Sequence, residues 1–345
     1  MFRSSAEAKE NFFVTTFDLI TTMKLITLTT FFALIFAVNV VVAQDIIFVI
    51  PNGTGNGTSW EQASDLNNAL EYAPAGAQLW LAEGTYLPTA ANDRSASFMI
   101  DKDLKIYGGF NGNETSLTQR DIRTNATVLS GEIGTADFAD NSYTVVTIQG
   151  ASANTVLDGL TIMSGNADGS TAPGTAARCG GAIFNHGTQG TASVPVIRNC
   201  IFRDNSAREG GAVYNYGRNG ESSPTLVNCT FKNNQADLDG GAIYNNAADG
   251  DSNPVLTDCT FQNNVAGYGA GIYSNTANGE SHINLNGCVF QDNMAYMWGG
   301  GIFGNEKAGF EVALDECSFA NNYPTDINKE ITVGTVNTAK IRGAK

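Results

Sequence analysis

Side chains able to bind or cleave an acidic polysaccharide gather in one stretch: Asp168, Arg178, Arg203, Asp204, Arg208, Glu209 and Lys232. Elimination from such a polymer needs a base, usually Lys or Arg, and acids that hold calcium against the substrate carboxylate. Asp168, Arg178 and Arg208 are the candidate catalytic residues, and calcium enters as a cofactor only on this reading. Against it, the position after a recurring Phe drifts from Arg203 and Lys232 to Gln262, Gln291 and Ala320, as solvated surface does. Two histidines, His186 and His282, leave little material for imidazole catalysis. With no CxxC spacing, EF-hand loop or GxxxxGK pattern, neither a metal site nor a phosphate loop is expected.

A second set of residues points to binding. Phe184, Tyr214, Tyr244, Tyr273 and Phe303 recur at equivalent positions, each directly after an aliphatic residue (Ile183, Val213, Ile243, Ile272, Ile302). Adjacent strand positions face opposite ways, so if the aliphatic column lines the core the aromatic one lines an outer face, where its rings could stack on sugars. The alternative is that the rings stack only on one another or lie under loops. Cys200, Cys229, Cys259, Cys288 and Cys317 form another column, read as buried thiols because in-register neighbours sit too far apart for easy disulfide geometry. Cys179 stands off that column, and its redox state is open.

The elements that must carry these residues are repeats. Five blocks open with GGAIFN, GGAVYN, GGAIYN, GAGIYS and GGGIFG at Gly180, Gly210, Gly240, Gly269 and Gly299, a period of 29 to 30 residues. Within each, an aliphatic residue (Ile197, Leu226, Leu256, Leu285, Leu314) precedes the Cys by three, and a Phe (Phe202, Phe231, Phe261, Phe290, Phe319) follows it by two. An Asn comes three after the Phe, giving Asn205, Asn234, Asn264, Asn293 and Asn322. Cys and Phe share a strand face, whereas the odd step from aliphatic residue to Cys demands a corner. Three short strands per block are therefore expected, with the Asn column at a corner where it adopts left-handed geometry and bonds to neighbouring backbone. Period two and β-branched residues exclude helical repeats. The expected fold is a single-stranded right-handed parallel β-helix of about nine or ten coils, in which like stacks on like.

The register reaches upstream to Leu157, Leu160 and Ile162, with Gly165 at the Asn position. About ten extra residues within 166–178 should protrude as a loop. Residues 60–73 have helical spacing, with Trp60, Leu66, Ala69, Leu70 and Ala73 as the apolar face of a helix covering the first coil. From Met23, a Lys, an apolar run and the small residues Val41 and Ala43 have the form of a secretory signal peptide. The expected organisation is a non-native extension at 1–22, a signal peptide at 23–43, and a β-helix at 44–345 with regular repeats over 180–328. The net charge of -15 and lack of polybasic segments exclude nucleic acid as a partner. After Asn322 the sequence shows no evident cap.

The paired GGAI-type and FxxN-type motifs over 180–322 resemble the repeats of chlamydial polymorphic outer membrane proteins, within the wider pectin-lyase-like β-helix fold. The resemblance implies display at the surface of a Gram-negative bacterium and often adhesion, although the membrane β-barrel that usually ends such proteins does not fit in this length. Two functional expectations follow. The first is a secreted or surface-displayed, non-catalytic glycan-binding, adhesive or structural protein whose partner is a polysaccharide or a host or neighbouring-cell glycan. The second is a polysaccharide lyase or hydrolase acting on acidic glycans. The sequence does not set the oligomeric state.

Overall fold

Five phenylalanine rings stand on one another down the interior. Phe202, Phe231, Phe261, Phe290 and Phe319 stack with centroids 4.7, 4.8, 4.5 and 4.8 Å apart, as in-register parallel strands require. The computed structural model describes residues 45–187, 190–305 and 309–328, and the backbone of 332–336. The extension at 1–22 and the signal peptide at 23–43 lie outside the described residues. The described chain is a parallel β-solenoid of about nine turns.

Each regular coil has four strands where the sequence pattern suggested three. One coil runs through Ile183–His186, Val196–Arg198, Ile201–Arg203 and Ser206–Glu209. These belong respectively to a seven-stranded sheet carrying the Tyr column, a ten-stranded long sheet, an eight-stranded Phe sheet and a five-stranded short sheet. The short sheet leaves little mark on the apolar pattern because its one inward side chain per coil is small. Ala207, Ala236, Ala266 and Ala295 are buried there, and alanine carries little strand signal.

Two left-handed residues per coil turn the chain. Asn199, Asn228, Asp258 and Glu316, with Gly287 in the same column, have positive φ just before each Cys, which accounts for the odd step from the aliphatic residue. Asp204, Asn233, Asn263, Asp292 and Asn321 have positive φ just before each ladder Asn. The left-handed corner therefore belongs to the preceding residue, a correction to the expectation, and the ladder Asn itself points inward and is buried. Asn264 shows its work: Nδ2 donates to the Phe231 carbonyl at 3.0 Å and to Asn293 Oδ1 at 2.9 Å, while its own backbone N–H donates to Asn293 Oδ1 at 3.0 Å. Gly165, at the Asn position one coil upstream, donates its N–H to Asn205 Oδ1 at 3.1 Å. A second interior ladder is absent from that expectation: Asn185, Asn215 and Asn245 donate through Nδ2 to Asn215 Oδ1, Asn245 Oδ1 and Ser274 Oγ of the next coil at 3.2, 2.8 and 3.1 Å.

All six cysteines are free and buried. Each thiol of the column lies near the aliphatic carbonyl of the coil before it, as Cys229 Sγ does to Ile197 O at 3.5 Å, and burial pushes the Cys229 thiol up. At the N-terminal end, a 3-10 turn Trp60–Gln62 precedes the one α-helix of the described residues, Leu66–Tyr72, capped by Asp65 accepting from the Asn68 N–H at 3.0 Å. Leu66, Ala69, Leu70 and Ala73 join the interior core beside Ile47 and Val49, as a cap on the first coil should. Trp60 instead packs outside with Phe48, Trp80 and Phe110. Beyond Asn322 the long sheet continues, Thr332–Val336 pairing in parallel with Phe310–Asp315.

Removing one ladder side chain should cost more than its volume. Asn264→Ala leaves the buried Asn234 N–H without its partner and takes one donor each from the Phe231 carbonyl and Asn293 Oδ1, the orphaned N–H alone costing about 1–3 kcal/mol. Urea unfolding should show a loss of several kcal/mol or a separate early transition. A change below about 1 kcal/mol would mean the ladder is not holding the coils.

Candidate functional site

Between the short sheet and the Tyr sheet, a Gly pair turns the chain sharply. Gly240 has φ +71°, and a Cβ there would meet the Ile243 carbonyl at 2.6 Å, so the position admits glycine alone. The residue before each Gly closes the short sheet and faces outward at the corner. Register and bridges run this column through Cys179, Glu209, Asp239, Tyr268 and Trp298, one residue per coil. No two of its members are alike, whereas the interior columns repeat. Across the corner stands the predicted aromatic column, stacked at 5.8, 4.8, 4.8 and 5.6 Å from Phe184 to Phe303.

The aromatic column lies outside the interior, as parity required, but it is not an open platform. Phe184, Tyr214 and Tyr244 are buried, and only Tyr273 and Phe303 are partly open. At the Phe184 end, the insertion at 166–178 lies down over the sheet instead of protruding. Thr144 Oγ1 donates to the Ala176 carbonyl at 2.6 Å, Ala176 packs on the ring cluster, and Gly174 sits so close that a Cβ would come within 2.6 Å of the Tyr216 ring. Tyr214 also accepts from Asn246 Nδ2 at 2.7 Å, and burial pushes its phenol up. On the other side of the insertion, Ser97, Met99, Tyr143, Thr147 and Ala176 line a cavity of about 430 Å³.

The three catalytic candidates do not converge. Asp168 pairs with Arg94 at 2.6 Å. Arg178 makes a two-pronged bond to Glu209, Nε to Oε2 and Nη2 to Oε1 both at 2.9 Å, and this raises the guanidinium pKa further. Arg208 is joined to Arg178 through the backbone, and its Nε is buried without a hydrogen-bond partner. Cys179, the off-ladder cysteine, is a buried free thiol that donates to Glu209 Oε2 at 3.3 Å; burial, then Glu209, pushes it up. A raised, buried thiol is a poor nucleophile.

Asp239, Tyr268 and Trp298 were not foreseen as site residues. The sequence signal was present: the residue before each Gly of the repeat changes type in every block while its surroundings are fixed. Burial pushes the Asp239 carboxyl up to about 6, with Glu209 adding to the effect and a hydrogen bond from the Tyr268 backbone opposing it. The C-terminal end of the same outer face is apolar and open. Met294 is 39% exposed, Tyr296 65%, Met297 53%, Trp298 48% and Tyr323 63%, a contiguous strip on and beside the strand Met294–Trp298. Tyr268 meets Phe303 across the corner with centroids 4.9 Å apart.

With this geometry in view, the repeats find a match. The Chlamydia polymorphic membrane protein (Chlamydia_PMP) repeat matches residues 199–216, 228–246 and 258–275. The chain carries repeats of this type on a parallel β-helix. Each matched segment begins at or just before a ladder Cys and ends in the next Tyr-sheet strand, so it spans the Phe strand, the short sheet and the Gly corner. Among solved structures, a pectate lyase, Pel9A, is similar at 12% identity, covering 88% of this chain and 79% of that one, with a TM-score of 0.47. The pectin methylesterase from Aspergillus niger in deglycosylated form is similar at 15% identity, covering 87% and 85%, with a TM-score of 0.41. No curated protein matches the sequence.

The raised Asp239 acid has a thermodynamic consequence. Between its ordinary value of 3.8 and about 6 the folded protein holds this proton more tightly than the unfolded chain. The associated stability is therefore full below the ordinary value and is lost as pH rises through about 6. Asp239→Asn should raise the melting temperature by a few degrees at pH 8 and give almost no gain at pH 4. An equal difference at both pH values would show that the carboxyl is not desolvated.

Proposed function

We propose that the chain is an exported or surface-held glycan-binding protein that carries out no catalytic step. The observation that carries this reading is the open aromatic strip Tyr296, Trp298 and Tyr323, with Tyr268 and Phe303 beside it, where the most exposed large apolar side chains of the described residues gather. Patches of exposed aromatic surface mark contact sites, and flat rings stack on the apolar faces of sugars. The binding surface thus lies at the C-terminal end of the corner; of the five-ring column, only its partly open end, Tyr273 and Phe303, is available to a ligand. Export rests on the signal-peptide form of residues 23–43 and on the surface family whose repeat the chain carries. N-terminal sequencing of the exported protein should begin near Gln44.

One observation keeps a polysaccharide-cleaving reading beside it. Arg178, Glu209 and Asp239 form a non-repeating charged group on one outer corner, which an enzyme on this scaffold would need. The ion pair occupies Arg178, however, so the base that a lyase requires is engaged.

Two measurements separate the readings. A Tyr296→Ala, Trp298→Ala double variant that keeps the wild-type melting temperature should lose roughly tenfold or more in capture of immobilised polysaccharides, the size expected for buried aromatic contacts. Unchanged capture would remove this face from the account. Ultraviolet absorbance with uronate polymers, with and without calcium, should stay flat; a rise abolished by chelator would establish a lyase.

A further inference from the structure

The corner column is graded along the solenoid axis. Glu209 and Asp239 occupy two successive coils, and Tyr268 and Trp298 the next two, each a Cα partner of its neighbour. Register shifts occur just before the column at Ala207/Glu209, Gln235/Asp239 and Ala266/Tyr268, so bulges aim these side chains outward at the corner. Strand spacing sets them about 4.8 Å apart, a step comparable to one sugar ring in an extended chain.

Resting on the glycan-binding reading, we propose that this column holds a neutral, extended polysaccharide lying along the solenoid axis, with Trp298 and Tyr268 stacking on successive sugar rings and Asp239 and Glu209 accepting hydrogen bonds from hydroxyls further along the chain. The aromatic half supplies contact area. The acidic half supplies selectivity, because the Asp239 carboxylate on a chain of net charge -15 repels a uronate or sulfated polymer and accepts strongly from neutral hydroxyls. Glu209 is held in place by Arg178, so its charge is matched, and Asp239 is the acceptor with no cation beside it among the groups that shift it. The groups around Asp239 are Glu209, with Arg178 behind it, and Tyr244 and Tyr273 across the corner, whose phenols burial pushes up. Asp239 is therefore the group that titrates near neutrality there, and capture should strengthen as it ionises.

The test is affinity electrophoresis of the full chain in gels containing hydroxyethylcellulose, polygalacturonate or glycol chitosan, with calorimetric titration from pH 5 to 8. Hydroxyethylcellulose should retard the wild-type protein and polygalacturonate should not. Trp298→Ala should weaken capture about tenfold or more, and Asp239→Asn severalfold at pH 8 while flattening the rise in affinity through about pH 6. Variants are compared only where they melt no lower than the wild type, and Asp239→Ser replaces Asp239→Asn if the amide misfolds. Retention by polygalacturonate or glycol chitosan at least as strong as by hydroxyethylcellulose would overturn the neutral ligand and leave glycan binding standing. An unaltered pH profile in both Asp239 variants would also overturn the proposal. No retention by any of the three polymers would overturn the neutral-polysaccharide assignment, and if unaltered capture by the Tyr296→Ala, Trp298→Ala variant accompanied it, the glycan-binding reading would fall as well.

Discussion

The structure depends on one hydrogen-bonded column, the inward asparagines of the Phe-sheet corner. A coil of short strands must turn several times, and every turn takes backbone groups out of the sheets and into an interior without water. Each ladder Asn answers this by reaching in two directions. Its amide donates to the Phe carbonyl of one neighbouring coil and its oxygen accepts backbone and side-chain donors from that same coil, as at Asn234 with Phe202, Asn205 and itself in turn to Asn264. The column therefore fixes the register that brings Phe over Phe and Cys over Cys. Where it is interrupted, at Gly165, a backbone N–H takes over the bond to Asn205.

Most of the fold was legible because a solenoid prints its interior into the sequence at a constant period. The aliphatic, Cys and Phe columns could be placed without coordinates, and the structure pairs Ile197 with Leu226 and Phe202 with Phe231 as the alignment of blocks implies. The fourth strand was hidden because its inward residue is alanine, which is compatible with almost any backbone. The insertion was recognisable as extra length, yet nothing in residues 166–178 announced that they would fold onto the aromatic column. That depends on Thr144, Tyr216 and Glu209, which are distant in sequence.

The outer surface is where sequence reading had least purchase. Ladder logic identifies what is constant, and a binding site on a repeat protein is made of what changes. Asp168, Arg178 and Arg208 stand near one another in sequence, but separate ion pairs draw the first two apart. Glu209, Asp239, Tyr268 and Trp298 are scattered over four blocks and meet on one corner because the stacking register puts them there. The scaffold thus converts a periodic sequence into a graded surface, acidic and closed at one end, aromatic and open at the other.

The central claim is that the Asn ladder locks adjacent coils in register. Native-state hydrogen exchange at the backbone amides of Asn205, Asn234, Asn264 and Asn293 tests it directly, since each donates to the side-chain oxygen of the next Asn and to nothing else. The account predicts that these four amides exchange among the slowest in the protein, with protection similar to the Phe-strand amides beside them. Exchange as fast as at the exposed turns would contradict it.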